Sequence, residues 1–145
     1  MDYENMPATA FGHALTGISI NLLVRDVRAE AAFLVAVFGM QAHRLSADFA
    51  ILLHAGQPFQ LHADGTFAAH PLFALLPESG VRGAGIELRL HEADPDLAAA
   101  RVVDFADAIL LQPPTDKAGH GLREAVILCP NGYAWVPSRR INPNP

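Results

Sequence analysis

The sequence predicts an α+β fold built from two βαβββ modules, and three observations carry this prediction. A strand pattern followed by a helix pattern occurs twice along the chain. The two occurrences keep register, because Ser19 and Gly85 lie 66 positions apart and so do Asp26 and Glu92. Three further strand-like runs follow each helix. A repeat of this kind indicates two similar structural units in one chain.

The first module is predicted over residues 17–65. Apolar residues alternate with others from Ile18 to Val24, which is typical of a strand. Asp26 then stands where a helix N-cap is expected, and Gly39 stands where the helix should end. The three strands after this helix are predicted at about 41–46, 49–54 and 58–63.

The second module is predicted over residues 83–138. Alternation from Ile86 to His91 indicates its first strand. Asp94 is a suitable N-cap, and Pro95 after it suits the first helical position. The segment Pro130-Asn131-Gly132 has the composition of a hairpin turn. The three strands after this helix are predicted at about 108–112, 122–128 and 133–137.

The remaining segments show no sustained period. Residues 1–16 are predicted to be an N-terminal arm, and residues 66–82 a linker between the modules. Residues 139–145 are predicted to be a C-terminal tail, poorly ordered at Asn142-Pro143-Asn144-Pro145, because two prolines in four residues oppose both helix and strand.

Composition excludes several classes of protein. Of the 145 residues, 51% are hydrophobic and 17% are charged, which is incompatible with a disordered chain. The net charge of -5, with no cluster of Lys and Arg, argues against a nucleic acid partner. The longest apolar run, residues 31–40, is too short to span a bilayer, which takes about 20 residues, so no membrane partner is expected.

Two compositional features predict location and assembly. The chain has a single cysteine, Cys129, and begins with Asp2 and Glu4 rather than with basic residues, which favours the cytoplasm. The low fraction of charged residues leaves apolar surface for a partner to cover. A homodimer is the simplest such partner.

Four short motifs occur in a fixed order. They are residues 20–26, the Phe38-Gly39-Met40 that ends the first helix, residues 121–125, and the turn at residues 129–133. In this order and spacing the sequence resembles the vicinal oxygen chelate superfamily, which includes glyoxalase I, extradiol dioxygenases and bleomycin-binding proteins. The resemblance implies two modules that form a curved, incompletely closed sheet around a cavity, with helices outside. It also implies a common tendency to form dimers.

The resemblance also assigns positions for a divalent metal. The first-strand positions are occupied by Ser19 and Gly85, and one fourth-strand position by Val136. Only the other fourth strand offers ligands, Gln60 or His62. Glycine and valine have no side-chain ligand atom, so the sequence predicts no metal site and no cofactor. The alternative is a divalent metal held by a non-standard ligand set.

Strand alternation predicts the residues that line the cavity. If the apolar residues of each first strand face the helices, the intervening side chains face inward. The predicted ligand-binding residues, with no catalytic role assigned, are Asn21, Gln60, His62, Glu87 and Arg89. Amides offer paired donors and acceptors, arginine a fork for an anion, and histidine or glutamate a proton carrier.

Some side chains allow more than one interpretation. Glu87 and Arg89 either line the cavity or pair with each other. Arg123 either meets an anionic ligand or pairs with a carboxylate. Tyr133 and Trp135 have the parity of core residues, and the alternative is that they form an aromatic wall.

Three functions remain open from the sequence. The first is metal-independent binding of a small planar or anionic molecule in the concave cavity. The second is a metal-dependent lyase, isomerase or dioxygenase with a non-standard ligand set. The third is an interaction module that binds no ligand, because one scaffold supports many functions.

Overall fold

Each half of the chain folds into a four-stranded mixed sheet with a helix after its first strand. The structure is a computed structural model, and it describes residues 1–141. The chain divides into two compact units. The first comprises Met1–Val35 and Gly39–Leu75, and the second comprises Ala36–Phe38 and the chain from Leu76 onward. The predicted α+β fold of two βαβββ modules is confirmed.

The first unit has the strand order β1-β4-β3-β2. Strand β1 runs parallel to β4, and the other neighbours are antiparallel. The pairing fixes the register, so that Leu22 lies opposite Leu61, and Leu61 lies opposite Ala50. All three are buried. The elements are α1 (Ala8–Ala14), β1 (Asn21–Val24), α2 (Val27–Phe38), β2 (Gln41–His43), β3 (Phe49–His54) and β4 (Gln57–Ala63).

The second unit repeats this topology with the order β5-β8-β7-β6, and β5 runs parallel to β8. Its core includes Ile127 and Trp135, which lie opposite each other on neighbouring strands, and the Phe38 ring lies 6.0 Å from the Trp135 ring. Tyr133 and Trp135 are buried, as predicted. The elements are β5 (Glu87–His91), α3 (Pro95–Val102), β6 (Ile109–Lys117), β7 (Leu122–Leu128) and β8 (Ala134–Arg140).

The helix boundaries follow from the predicted caps. The Asp26 carboxylate accepts a hydrogen bond from the Ala29 N–H at 3.0 Å, and Gly39 ends α2 in the left-handed conformation. The Asp94 carboxylate accepts hydrogen bonds from the first two free N–H groups of α3, at 2.9 and 3.3 Å. These side chains satisfy backbone donors that no helical carbonyl can reach.

Arg123 on β7 contacts α3 and so shows which face of the second sheet this helix covers. Its Nε and Nη2 atoms donate to the two carboxylate oxygens of Asp96, in the first turn of α3, at 2.8 Å each. Its Nη1 atom donates to Asp116 at 3.0 Å. The sequence allowed Arg123 either to meet an anionic ligand or to pair with a carboxylate. The structure shows that it pairs with carboxylates. Side chains of opposite parity to Arg123 lie on the other face of this sheet.

Several boundaries differ from the sequence prediction. Strand β1 begins at Asn21 rather than near residue 18, and Ile18 is 94% exposed. Pairing with β4 starts only where the Ile20 carbonyl accepts from the Gln60 N–H, and alternation cannot reveal where pairing starts. Strand β8 extends to Arg140, into the predicted tail.

The segments outside the modules also contain structure. The predicted N-terminal arm includes α1, which is too short at seven residues to show a period and buries only Phe11. Short 3-10 helices occur at Asp64–Phe67 and Pro71–Leu75, at and after the start of the predicted linker. The predicted disorder of residues 142–145 lies outside the described residues. Among residues 1–141, no helix has the length and hydrophobicity that crossing a bilayer takes.

Candidate functional site

Three predicted site residues share one face of the first sheet. Asn21 lies opposite Gln60 in the register of β1 and β4, and His62 follows two residues later on the same face. Asn21 is exposed, whereas Gln60 and His62 are partly buried. The His62 Nε2 atom lies 3.1 Å from the Gln60 Oε1 atom, within hydrogen-bond distance. The sheet therefore brings these three residues together.

Two aromatic rings pack against His62. Its ring centroid lies 5.2 Å from that of Phe49 and 5.0 Å from that of Phe67. Burial lowers the pKa of His62 below the ordinary value for histidine, because desolvation disfavours the imidazolium. His62 is therefore neutral at pH 7 and can donate or accept a hydrogen bond through either ring nitrogen, depending on its tautomer.

The lowered pKa of His62 predicts a pH dependence of stability. Below the ordinary pKa of histidine the unfolded chain binds a proton that the folded chain resists, so the free energy of unfolding falls as the pH drops from 7 to 5. In His62→Asn this part of the decrease should be absent. Thermal unfolding across this pH range measures the difference, with His120→Asn, at an exposed histidine, as the control. Parallel curves for wild type and His62→Asn would contradict the prediction.

The other two predicted residues lie on the second sheet. Arg89 on β5 donates through Nη2 to Glu124 on β7, in a very short contact, and its Nη1 atom lies 3.5 Å from the Glu87 carboxylate. The hydrogen bond to Glu124 raises the pKa of Arg89 further above its ordinary value, so the guanidinium stays charged. The structure therefore shows the pairing of Glu87 with Arg89, one of the two interpretations that the sequence allowed. It adds a second carboxylate, that of Glu124.

The Arg89–Glu124 pair lies on the face opposite α3. Arg123 and Glu124 are adjacent on β7, so their side chains leave opposite faces, and Arg123 contacts α3. Strand β8 runs between β5 and β7, and its residues Val136 and Ser138, in register with Arg89 and Glu124, have no exposed surface. One guanidinium paired with two carboxylates gives this cluster a formal charge of -1.

A pocket of about 420 Å³ opens in the first unit. Its volume falls in the range typical of small-molecule sites, about 300–1,000 Å³. Asn21, Gln60 and His62 form a row of polar side chains on the first sheet, called here the polar row. Pro58 lines the pocket and belongs to the same face of β4 as Gln60 and His62, so the pocket lies at the end of the polar row. None of the five predicted residues lines it. The lining includes Tyr3, Phe11, Thr16, Ser19, Gln57 and Pro58.

Contacts with the end of β2 hold the N-terminal segment, residues 1–16, at this pocket. The Arg44 N–H donates to the Glu4 carboxylate at 2.8 Å, and the Arg44 Nη1 atom donates to the Met6 carbonyl at 2.7 Å. The Tyr3 ring lies 5.9 Å from the His43 ring. Arg44 itself has a φ of 53°, an unusual conformation for a residue with a side chain.

Sequence reasoning missed Glu124, Tyr3 and Phe11. Glu124 lies in one of the four motifs, and its parity, opposite to that of Arg123, was the signal that could have placed it on the face with Arg89. Tyr3 and Phe11 lie in a segment without periodicity, so no local pattern marks them as lining residues.

The fold of this chain matches that of several solved structures. The chain superposes on a glyoxalase/bleomycin resistance protein/dioxygenase family enzyme from Burkholderia phytofirmans PsJN with a TM-score of 0.69 and 20% identity, over 85% of this chain and 97% of that one. This chain has the vicinal oxygen chelate fold. A glyoxalase-related enzyme from Fulvimarina pelagi gives a TM-score of 0.66 at 18% identity, over 87% of this chain and 89% of that one.

A third protein with the vicinal oxygen chelate fold is a glyoxalase/bleomycin resistance protein/dioxygenase from Nocardioides. It matches with a TM-score of 0.63 and 16% identity, over 94% of this chain and 93% of that one. No family model matches the sequence, and no curated protein matches it significantly. At these identities the similarity establishes the fold and leaves the function to be argued from the site.

The metal that the resemblance implies does not fit the residues present. Gly85 has no side chain, and Val136 is apolar and fully buried beside Arg89, whose positive charge opposes a cation. The His62 Nε2 atom already faces the Gln60 Oε1 atom. Across residues 1–141, no three His, Cys, Asp or Glu side chains come close enough together to hold an ion.

Proposed function

We propose that this protein binds a small planar molecule, without a resident metal, in the pocket of the first unit. The observation that carries the proposal is the pocket of about 420 Å³, which combines aromatic, apolar and hydrogen-bonding side chains. Binding sites for small molecules have this composition: apolar walls and a few polar groups that orient the ligand.

The polar row beside the pocket supports the same proposal. Asn21 is exposed, and Gln60 follows Pro58 by two residues on the same face of β4, so a ligand larger than the pocket would extend towards these two amides. Amide groups recognise ligands through paired donors and acceptors without requiring a charge.

An anionic ligand at Arg89 has less support. Two carboxylates already pair with this guanidinium, and the formal charge of -1 at the cluster repels an anion. We therefore propose a planar ligand in the first unit rather than an anionic ligand at Arg89.

Filling the pocket with a ring should abolish binding. Ser19 is exposed and lines the pocket, so Ser19→Phe places an aromatic ring in the space proposed for the ligand while leaving the core unchanged. A panel of planar molecules, measured by thermal shift and confirmed by calorimetry, should contain at least one that stabilises the wild-type protein. The affinity for that molecule should fall by at least ten-fold in Ser19→Phe.

The control is Ser79→Phe, which adds the same ring at an exposed serine outside the pocket and should leave the affinity unchanged. Equal affinity of Ser19→Phe and wild type, or no stabilisation by any molecule of the panel, would overturn the proposal. Binding in EDTA should match binding without it. Binding that EDTA abolishes and added metal restores would favour the alternative, metal-dependent chemistry of a lyase, isomerase or dioxygenase.

A further inference from the structure

We infer that the ligand is an uncharged aromatic molecule with an amide or carbonyl group at its edge, and that the N-terminal segment supplies the aromatic surface that selects it. The inference rests on the proposed function, since it concerns the same pocket. It adds the chemical class of the ligand and the residues that determine specificity.

The absence of charged side chains in the lining carries the first step. Among the residues that the structure places around the pocket, none has a charged side chain, and the polar side-chain groups are the hydroxyls of Tyr3, Thr16 and Ser19 and the amide of Gln57. A charged ligand would lose hydration here without gaining an opposite side-chain charge. An uncharged ligand does not meet this penalty.

The arrangement of two rings carries the second step. The Tyr3 and Phe11 centroids lie 6.1 Å apart with an angle of 78° between the rings, an edge-to-face pair. Both rings line the pocket, but Phe11 is buried and Tyr3 is partly exposed, so a third ring in the pocket would contact mainly the Tyr3 ring, which Phe11 supports from behind. A saturated ring would fill the same volume but would gain no interaction with the aromatic quadrupoles.

Three exposed polar side chains of the lining carry the third step. Ser19, Thr16 and Gln57 are exposed, so they can form hydrogen bonds with a ligand without breaking a buried network. Gln57 offers both a donor and an acceptor, the pattern that an amide or a carbonyl beside an N–H complements. Ile18, which also lines the pocket, is 94% exposed and would be covered by the ligand.

Attachment of the N-terminal segment carries the last step. Phe11 is 6% exposed and thus anchors α1, and Arg44 binds both the Glu4 carboxylate and the Met6 carbonyl. The ring pair of Tyr3 and Phe11 is therefore held in place before a ligand arrives, which reduces the ordering that binding requires.

Three matched probes test the ligand class. 2-Naphthamide is uncharged and aromatic, 2-naphthoate has the same rings with a negative charge, and decahydronaphthalene-2-carboxamide has the same amide on a saturated frame. Calorimetry at pH 7.5 should give 2-naphthamide an affinity at least ten-fold higher than that of 2-naphthoate. Its affinity should exceed that of the saturated amide roughly five-fold, the ratio that an aromatic pair contributes.

Variants of Tyr3 test the role of the N-terminal segment. Tyr3→Leu should lower the affinity for 2-naphthamide roughly five-fold and reduce the preference of the protein for 2-naphthamide over the saturated amide. Tyr3→Phe should retain most of this affinity and most of this preference. If Tyr3 had a purely structural role, Tyr3→Leu would lower the affinities for both amides equally and leave the ratio of the two affinities unchanged. The melting temperature of each variant, measured beside wild type, reports whether the fold is intact.

The outcomes separate this inference from the proposed function. If 2-naphthoate or the saturated amide binds as tightly as 2-naphthamide, and Ser19→Phe still abolishes that binding, the ligand class is wrong and the proposed function stands. If none of the three probes binds at 1 mM while another planar molecule binds in a Ser19-dependent way, the ligand class is again wrong. If no binding depends on Ser19, both proposals fall.

Discussion

Gly132→Ala should lower the free energy of unfolding of this protein by about 3 kcal/mol. Gly132 has a φ of 79°, where an L-residue is strained, and a Cβ atom added there would lie 2.5 Å from the Val81 Cα atom. That backbone cannot move away freely, because the Arg82 N–H donates to the Asn131 carbonyl and the Gly83 N–H donates to the Gly132 carbonyl, both at 3.2 Å.

Gly85→Ala is the matched control for this prediction. Gly85 belongs to the same unit and has a φ of 87°, but no atom lies within 4 Å of the position its Cβ would take. Its substitution should therefore cost only the conformational part, about 1 kcal/mol. Urea unfolding measures both variants against wild type. Equal losses at the two positions would show that the close approach to Val81 contributes nothing.

Arg89→Met should destabilise the protein by about 2–3 kcal/mol, the second large effect. Glu124 is only 6% exposed, and Arg89 is the cation that the structure places against it. Methionine keeps much of the volume and removes the charge, which leaves a buried carboxylate without its counter-charge. The partial exposure of Arg89 places the loss at or just below the lower limit for buried pairs, which is about 3 kcal/mol.

The double variant Arg89→Met with Glu124→Gln tests this cause. If the loss comes from an uncompensated carboxylate, removing that charge as well should restore more than half of the stability, as thermal unfolding at pH 7 would show. Arg101→Met, at an exposed arginine of α3, is the control for loss of a positive charge alone and should change the free energy of unfolding by less than about 0.5 kcal/mol. A double variant no more stable than Arg89→Met would point to lost packing instead.

The helix caps could be predicted because they depend on residues close together in the chain. Asp26 bonds the N–H of Ala29, three residues later, and Asp94 bonds those of Asp96 and Leu97. Such contacts form whenever the local backbone turns into a helix, so sequence spacing predicts them. Strand ends were predicted less closely: β1 begins three residues later than expected, and β6 ends at Lys117 rather than near residue 112, because alternation does not show where pairing starts or stops.

The candidate site could be predicted only in part. Alternation placed Gln60 and His62 on one face of β4, because the direction of side chains in a strand is a local property. The partner of Arg89 is 35 positions away on β7, and the contacts of Arg44 reach back 38 and 40 positions to Met6 and Glu4. No spacing rule in the sequence connects such residues. The ligand, the homodimer and the cytoplasmic location stay predictions.

By itself, the sequence determined two βαβββ modules, their helix caps and the parity of their strands, since each of these is set by interactions within a few residues. Only the tertiary structure decided that Glu124 neutralises Arg89 beside Val136, and that the N-terminal segment brings Tyr3 and Phe11 to a pocket next to Ser19 and Pro58. The physical reason is that charge pairing and pocket formation depend on distances between segments far apart in the chain. Those distances are set when the sheets pair and the side chains pack.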